Sequence, residues 1–145
     1  MIKVAEIPEA LGAMLGIELS PGEGGACQVI FDEDAVDFQV AEGRLFIAAD
    51  LGRLPESEGG CAELLKANCF GAETLGATIG LDAERQVLTM HMMLAGAIEE
   101  EEFKELLAAF VEALRRWKAW TAAGGVAAAA GSHGTEALLP HMLAI

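Results

Sequence analysis

The chain is 145 residues long and carries 9 Lys+Arg against 23 Asp+Glu, a net charge of −14. That length holds one core, and such acidity repels phosphate backbones and anionic lipid heads, which excludes nucleic-acid and membrane-surface roles. Hydrophobic residues at 53% exclude disorder, because disordered chains pair high charge with low hydrophobicity.

The amino terminus has acids and a proline where an export signal has an apolar run. No stretch reaches the roughly 18 apolar residues of a membrane span, and the Ala/Gly run from Ala122 to Gly131 is too short. Three cysteines (Cys27, Cys61, Cys69) sit in apolar patterns. An odd count of this kind suits a reducing compartment, so the expected location is the cytoplasm.

In chain order, Ile7, Leu11, Met14 and Leu15 form one stripe of a short helix over Pro8–Leu15, with Pro8 in its first turn and Gly16 as its stop. Ser20–Gly25 is a loop. Three strands follow. Cys27, Val29 and Phe31 alternate with polar neighbours, as do Val36, Phe38 and Val40, and Leu45, Ile47, Ala49 and Leu51 complete an antiparallel meander. Its turns are Asp32-Glu33-Asp34 and Glu42-Gly43. A second helix is predicted from about Ser57 to Phe70, weakened at its start by Gly59 and Gly60 and ended by Gly71.

Two more strands, Leu75–Leu81 and Gln86–Leu94, flank the turn Asp82–Arg85. Gly76, Thr78 and Gly80 leave one face of the first of them shaved, which favours close approach of another backbone. The last helix carries the stripe Phe103, Leu106, Leu107, Phe110, Val111, Leu114 and Trp117. Glu99–Glu102 are expected in its first turn and Arg115, Arg116 and Lys118 in its last, both complementing the helix dipole. The predicted fold is α+β, in the order α-β-β-β-α-β-β-α, a five-stranded antiparallel sheet packed with helices. Residues 1–120 form the domain and 121–145 an Ala/Gly-rich tail.

No catalytic or metal constellation emerges. Asp32, Glu33, Asp34 and Asp37 lack the glycine and spacing of a calcium loop, which leaves a solvated turn. His91, His133 and His141 have no zinc-type spacing. Cys61 and Cys69 are about 80° apart around a helix and read as packing. Ser20, Ser57 and Ser132 have no partnered base, and there is no phosphate-binding loop. The expectation is a non-enzyme with no metal and no cofactor. Met90, Met92 and Met93, with Met14, supply adaptable apolar surface, and unpaired strand edges accept an added strand.

Leu51-Gly52-Arg53-Leu54-Pro55, then Glu63-Leu64-Leu65-Lys66-Ala67-Asn68-Cys69-Phe70-Gly71, then Gly76-Ala77-Thr78-Ile79-Gly80-Leu81-Asp82 resemble the Tir-chaperone (CesT-like) family, the class I chaperones of type III secretion. Gly25-x-Cys27-x-Val29 and the stripe from Phe103 to Trp117 fit the same family, so the resemblance spans roughly Ile7 to Trp120. It implies a cytosolic homodimer that binds the amino-terminal segment of a secreted effector in extended form, without nucleotide. By the same resemblance the dimer interface takes in Cys61, Leu64, Leu65, Asn68, Gly76, Thr78 and Gly80. The effector-binding surface takes in Leu11, Leu15, Val29, Phe31, Phe38, Met90 and Met92. Leu138–Ile145 is expected to dock in a groove as a pseudo-substrate. The competing readings are a regulatory protein-binding module of the same fold (YbjN-like), unrelated to secretion, and a small enzyme.

Overall fold

Seven strands and three α-helices make up the computed structural model, which describes residues 1–20 and 22–126. They run β1 (Ile2–Lys3), α1 (Ile7–Leu15), β2 (Cys27–Phe31), β3 (Asp34–Ala41), β4 (Arg44–Arg53), α2 (Gly60–Asn68), β5 (Thr78–Asp82), β6 (Val87–Leu94), β7 (Ala97–Ile98) and α3 (Glu100–Ala122). Five strands form one antiparallel sheet in the order β2-β3-β4-β6-β5, the expected α+β arrangement. β1 and β7 add a separate two-stranded ribbon, with Ile2 opposite Ile98. Two residues are too few to show a period, so no sequence pattern announces them.

The chain divides into two compact units. The first comprises Met1–Ala49 and His91–Ala108. Its helix α1 begins at Ile7 and carries Pro8 in its first turn, where a missing N–H costs nothing, and is capped by Gly16 with φ +67°. The N–H of Ile17 donates to the Gly12 carbonyl at 2.9 Å and that of Gly16 to the Ala13 carbonyl at 3.4 Å, the two bonds of a Schellman motif. Register in the meander follows from its turns. Ala41 pairs with Arg44 across Glu42 (φ +53°) and Gly43 (φ +74°), the doubly left-handed two-residue turn that matches strand twist. The core of this unit gathers Ile7, Leu11, Val36, Phe38, Leu45, Ile47 and Phe103, all without exposed surface.

The second unit comprises Asp50–Met90 and the chain from Ala109. Here α2 starts at Gly60, later than the expected Ser57, because Gly59 takes φ +80° immediately before it. It ends at Asn68, and a tight 3-10 turn over Cys69–Gly71 follows. β5 begins at Thr78 rather than at Leu75, since Leu75 (φ +53°) and Gly76 (φ +91°) are left-handed and break the strand. Gly76 does admit a close backbone, but that of Gly71 in the same chain: a Cβ built on Gly71 would lie 2.8 Å from the Gly76 Cα. The Trp117 indole N–H donates to the Glu73 carbonyl at 2.8 Å and ties this loop to α3. Trp117 and Trp120 pack edge to face with centroids 5.3 Å apart.

α3 continues to Ala122, so Arg115, Arg116 and Lys118 precede the last turn, which holds no base. Trp120 and Thr121 are buried, which carries the folded domain past residue 120. Of the expected tail 121–145, residues 127–145, with His133, His141 and the docking segment Leu138–Ile145, lie outside the described residues, as does Pro21 of the first loop.

Candidate functional site

Period two gives every strand two faces, and the inner face of the meander is a run of apolar side chains. Phe38 stands opposite both Cys27 and Ile47, and Val29 opposite Val36. The outer face is mostly polar. Gln28 pairs with Asp37, and its amide Nε2 donates to Asp37 Oδ1 at 2.7 Å; Gln39 pairs with Phe46 and Ile30 with Ala35. Three large apolar side chains interrupt this polar face. Ile30 is 64% exposed, Met93 40% and Phe46 37%. The Arg44 guanidinium lies 3.9 Å from the Met93 sulfur, so β6 contributes Met93 beside the start of β4. Beneath them, burial and the Asp37 carboxylate push the Cys27 thiol up, which suits packing and not reactivity.

A second apolar surface belongs to the other unit. Leu65, Phe70, Leu75 and Leu81 are all exposed, Phe70 and Leu65 by 81% and 73%. Cys61 on α2 and Cys69 in the turn that follows it are exposed as well. Phe70 has φ +55°, a conformation that costs a non-glycine residue roughly 1–2 kcal/mol and here leaves a phenyl ring in solvent. At the far end of β5, Arg85 bridges Asp82 at 2.7 Å and Asp50 at 2.8 Å. The Arg85 side chain holds the Asp82 carboxyl below its ordinary range and squares off the β5–β6 hairpin.

The two outermost strands of the sheet are β2 and β5. β5 is closed at its centre. The Asn68 amide Nδ2 donates to the Ile79 carbonyl and the Ile79 N–H donates to Asn68 Oδ1, both at 2.8 Å. The side chain thus imitates a neighbouring strand, and its polar atoms are spent within the chain. Asn68→Ala leaves both Ile79 groups without partners, and a loss of about 2 kcal/mol in urea unfolding is expected. A loss below roughly 0.5 kcal/mol would mean that water replaces the amide and the edge is open.

The expected effector-facing residues fall on both sides of the surface. Leu11, Phe38 and Met90 have no exposed area and Val29 has 5%. They form the core, and a side chain without surface touches no partner. The physical reason is the alternation itself: the more apolar phase of a half-buried strand turns inward. Leu15, Phe31 and Met92 are half-buried. Sequence reasoning missed Ile30 and Phe46 and named Met93 only as one of a cluster. Their signal was present, as large apolar residues on the polar phase of the alternation. Of the expected interface residues, Cys61, Leu65, Gly76 and Thr78 are exposed and Gly80 and Asn68 half-buried, whereas Leu64 is a core residue.

The sequence and the fold meet a known pattern. Residues 8–118 match the Tir chaperone protein (CesT) family. The chain belongs to this family. The resemblance read from the Leu-Leu-x-Ala-Asn-x-Phe-Gly run therefore holds over most of the chain. Among solved structures, a chain of the HopA1–SchA chaperone–effector complex is similar with a TM-score of 0.64 and 17% identity, over 82% of this chain and 99% of that one. A chain of the ExsC–ExsE complex gives 0.65 and 20%, over 82% and 96%. One of the ExoU–SpcU heterodimer from the type III secretion system of Pseudomonas aeruginosa gives 0.62 and 17%, again over 82% and 96%. At these identities the likeness is one of fold. A search of curated protein sequences returned no match. Among the described residues of this CesT-family chain, no helix is long and apolar enough to cross a membrane.

Proposed function

We propose that this CesT-family protein is a cytoplasmic, non-enzymatic chaperone of type III secretion that works as a homodimer. It holds the amino-terminal segment of a secreted effector extended and soluble. The observation that carries the reading is the outer sheet face, where Ile30, Phe46 and Met93 stand exposed among polar neighbours on paired strands. Spaced apolar anchors of this kind hold a sticky segment without requiring it to fold, and main-chain pairing along a free strand adds to them. Leu15, Phe31 and Met92 extend the candidate surface. The exposed apolar group of the second unit, with Leu65, Phe70, Leu75 and Leu81, supports self-association. It takes in the expected interface residues Cys61, Leu65, Gly76, Thr78 and Gly80. One of the similar solved chains comes from a chaperone–effector complex, which agrees with an effector as partner.

Affinity purification of the tagged protein from its source cells, with mass spectrometry of what accompanies it, tests this directly. One or two secreted proteins, bound through their amino-terminal regions and missing from the medium when the chaperone gene is deleted, are expected. Recovery of housekeeping or regulatory proteins alone would transfer the fold to the regulatory, secretion-independent reading.

A further inference from the structure

The negative charge is unevenly divided. The first unit carries fourteen Asp and Glu against three Lys and Arg, a net of −11, whereas the described part of the second carries eight against six, a net of −2. Of the first unit's three basic residues, Lys104 is engaged by Glu100 at 2.9 Å and Glu101 at 3.1 Å. Arg44 leans on the Met93 sulfur. The exposed apolar anchors Ile30, Phe46 and Met93 therefore stand in a predominantly negative field, with exposed Asp37 between them, exposed Glu42 at the adjoining turn and the Arg44 cation beside Met93.

From this we infer that the outer face of β2, β3, β4 and the end of β6 selects a cationic segment, one in which apolar residues alternate with Lys or Arg. The inference rests on the chaperone reading and specifies its client. A second copy of this chain is a poor occupant, because two surfaces of net −11 repel, and the nearly neutral unit with Leu65 and Phe70 suits self-association better. Nucleic acid and anionic lipid are repelled for the same reason. A segment in extended conformation sends alternate side chains to one side. The apolar set therefore meets Ile30, Phe46 and Met93, while the intervening lysines point away from the sheet and are drawn by the summed negative field to which exposed Asp37 and Glu42 contribute. Each exposed ion pair contributes only a few-fold in affinity, so charge acts here as a selector and an accelerator of encounter more than as the main source of binding.

Two fluorescein-labelled dodecapeptides test this against the full-length protein by anisotropy. Both carry the same leucine and isoleucine residues at alternate positions, with lysine between them in one and glutamate in the other. The lysine peptide is expected to bind at least about tenfold tighter in low salt, with the advantage shrinking severalfold at roughly 0.5 M NaCl as exposed charges are screened. In a chain carrying Asp37→Lys and Glu42→Lys, checked by circular dichroism for native fold, the advantage is expected to vanish. Equal binding of the two peptides, or a preference that survives either high salt or the double substitution, overturns the inference. If the secreted client recovered by affinity purification binds the double variant as tightly as the unaltered protein, the charge inference falls while the chaperone reading stands. If no secreted client is recovered, it is the chaperone reading that falls.

Discussion

A protein with Leu65→Asp and Phe70→Asp is expected to sediment as a monomer at micromolar concentrations at which the unaltered protein, on the proposed self-association, is expected to be a dimer. Four of the large hydrophobic side chains with substantial exposure, Leu65, Phe70, Leu75 and Leu81, fall within one stretch of fewer than twenty residues. Scattered exposed leucines need no explanation, but four large exposed apolar residues in so short a stretch of one unit do. Phe70 adds a second reason: its left-handed backbone persists only where the surroundings over-determine it, and burial of the ring against a partner supplies what the exposed ring lacks. In a two-fold interface every substitution counts twice. Burying a leucine or phenylalanine fully is worth about 1.5–3 kcal/mol. Four such side chains, discounted by half for partial burial, come to about 4 kcal/mol, close to a thousandfold in dissociation constant. Ile30→Asp, on the outer sheet face, is the control and is expected to leave the proposed dimer intact. Sedimentation equilibrium decides. A double variant that stays dimeric with a native circular dichroism spectrum places the interface elsewhere.

Much of the scaffold was legible because its punctuation is local. Pro8 and Gly16 bracket α1, Glu42-Gly43 fixes the β3–β4 register, and Asp82 closes the next hairpin by accepting the Glu84 and Arg85 N–H groups on Oδ1. Where the reading slipped, a longer-range fact decided. Alternation in β2 to β4 shows two faces but not which of them meets a partner, and the most apolar residues, Val29 and Phe38, were claimed by the core. Gly76 looks like a strand residue until Leu75 beside it is seen to take φ +53°, which tertiary closure of the loop imposes. The stripe of α3 runs on through Trp120 and Thr121 because both pack inward, Thr121 against Gly52, where a Cβ would stand 3.1 Å from the threonine methyl. No window of sequence around residue 121 contains that contact.

Gly71→Ala is expected to destabilise the protein by about 3 kcal/mol, and Gly43→Ala by only about 1 kcal/mol, although both glycines have similar positive φ, +67° and +74°. The shared part is the left-handed conformation, which costs an L residue roughly 1–2 kcal/mol. The difference is space. A Cβ on Gly43 meets nothing within 4 Å, whereas one on Gly71 lies 2.8 Å from the Gly76 Cα and 3.1 Å from its nitrogen. Those neighbours are backbone and cannot swing aside as a side chain would. The loop must open instead, straining the bond from the Gly76 N–H to the Gly71 carbonyl at 3.2 Å and the Trp117 bond to Glu73. Forced overpacking of this kind adds roughly 1–3 kcal/mol. Because Phe70 immediately precedes Gly71, the same change turns the phenyl ring out of register and is expected to weaken the dimer as well. Thermal unfolding of both variants, each at two protein concentrations, separates the effects, since only the loss carried by association depends on concentration. Equal losses for Gly71→Ala and Gly43→Ala would show that the loop yields freely, and the 71–76 contact would then be no more than a near approach.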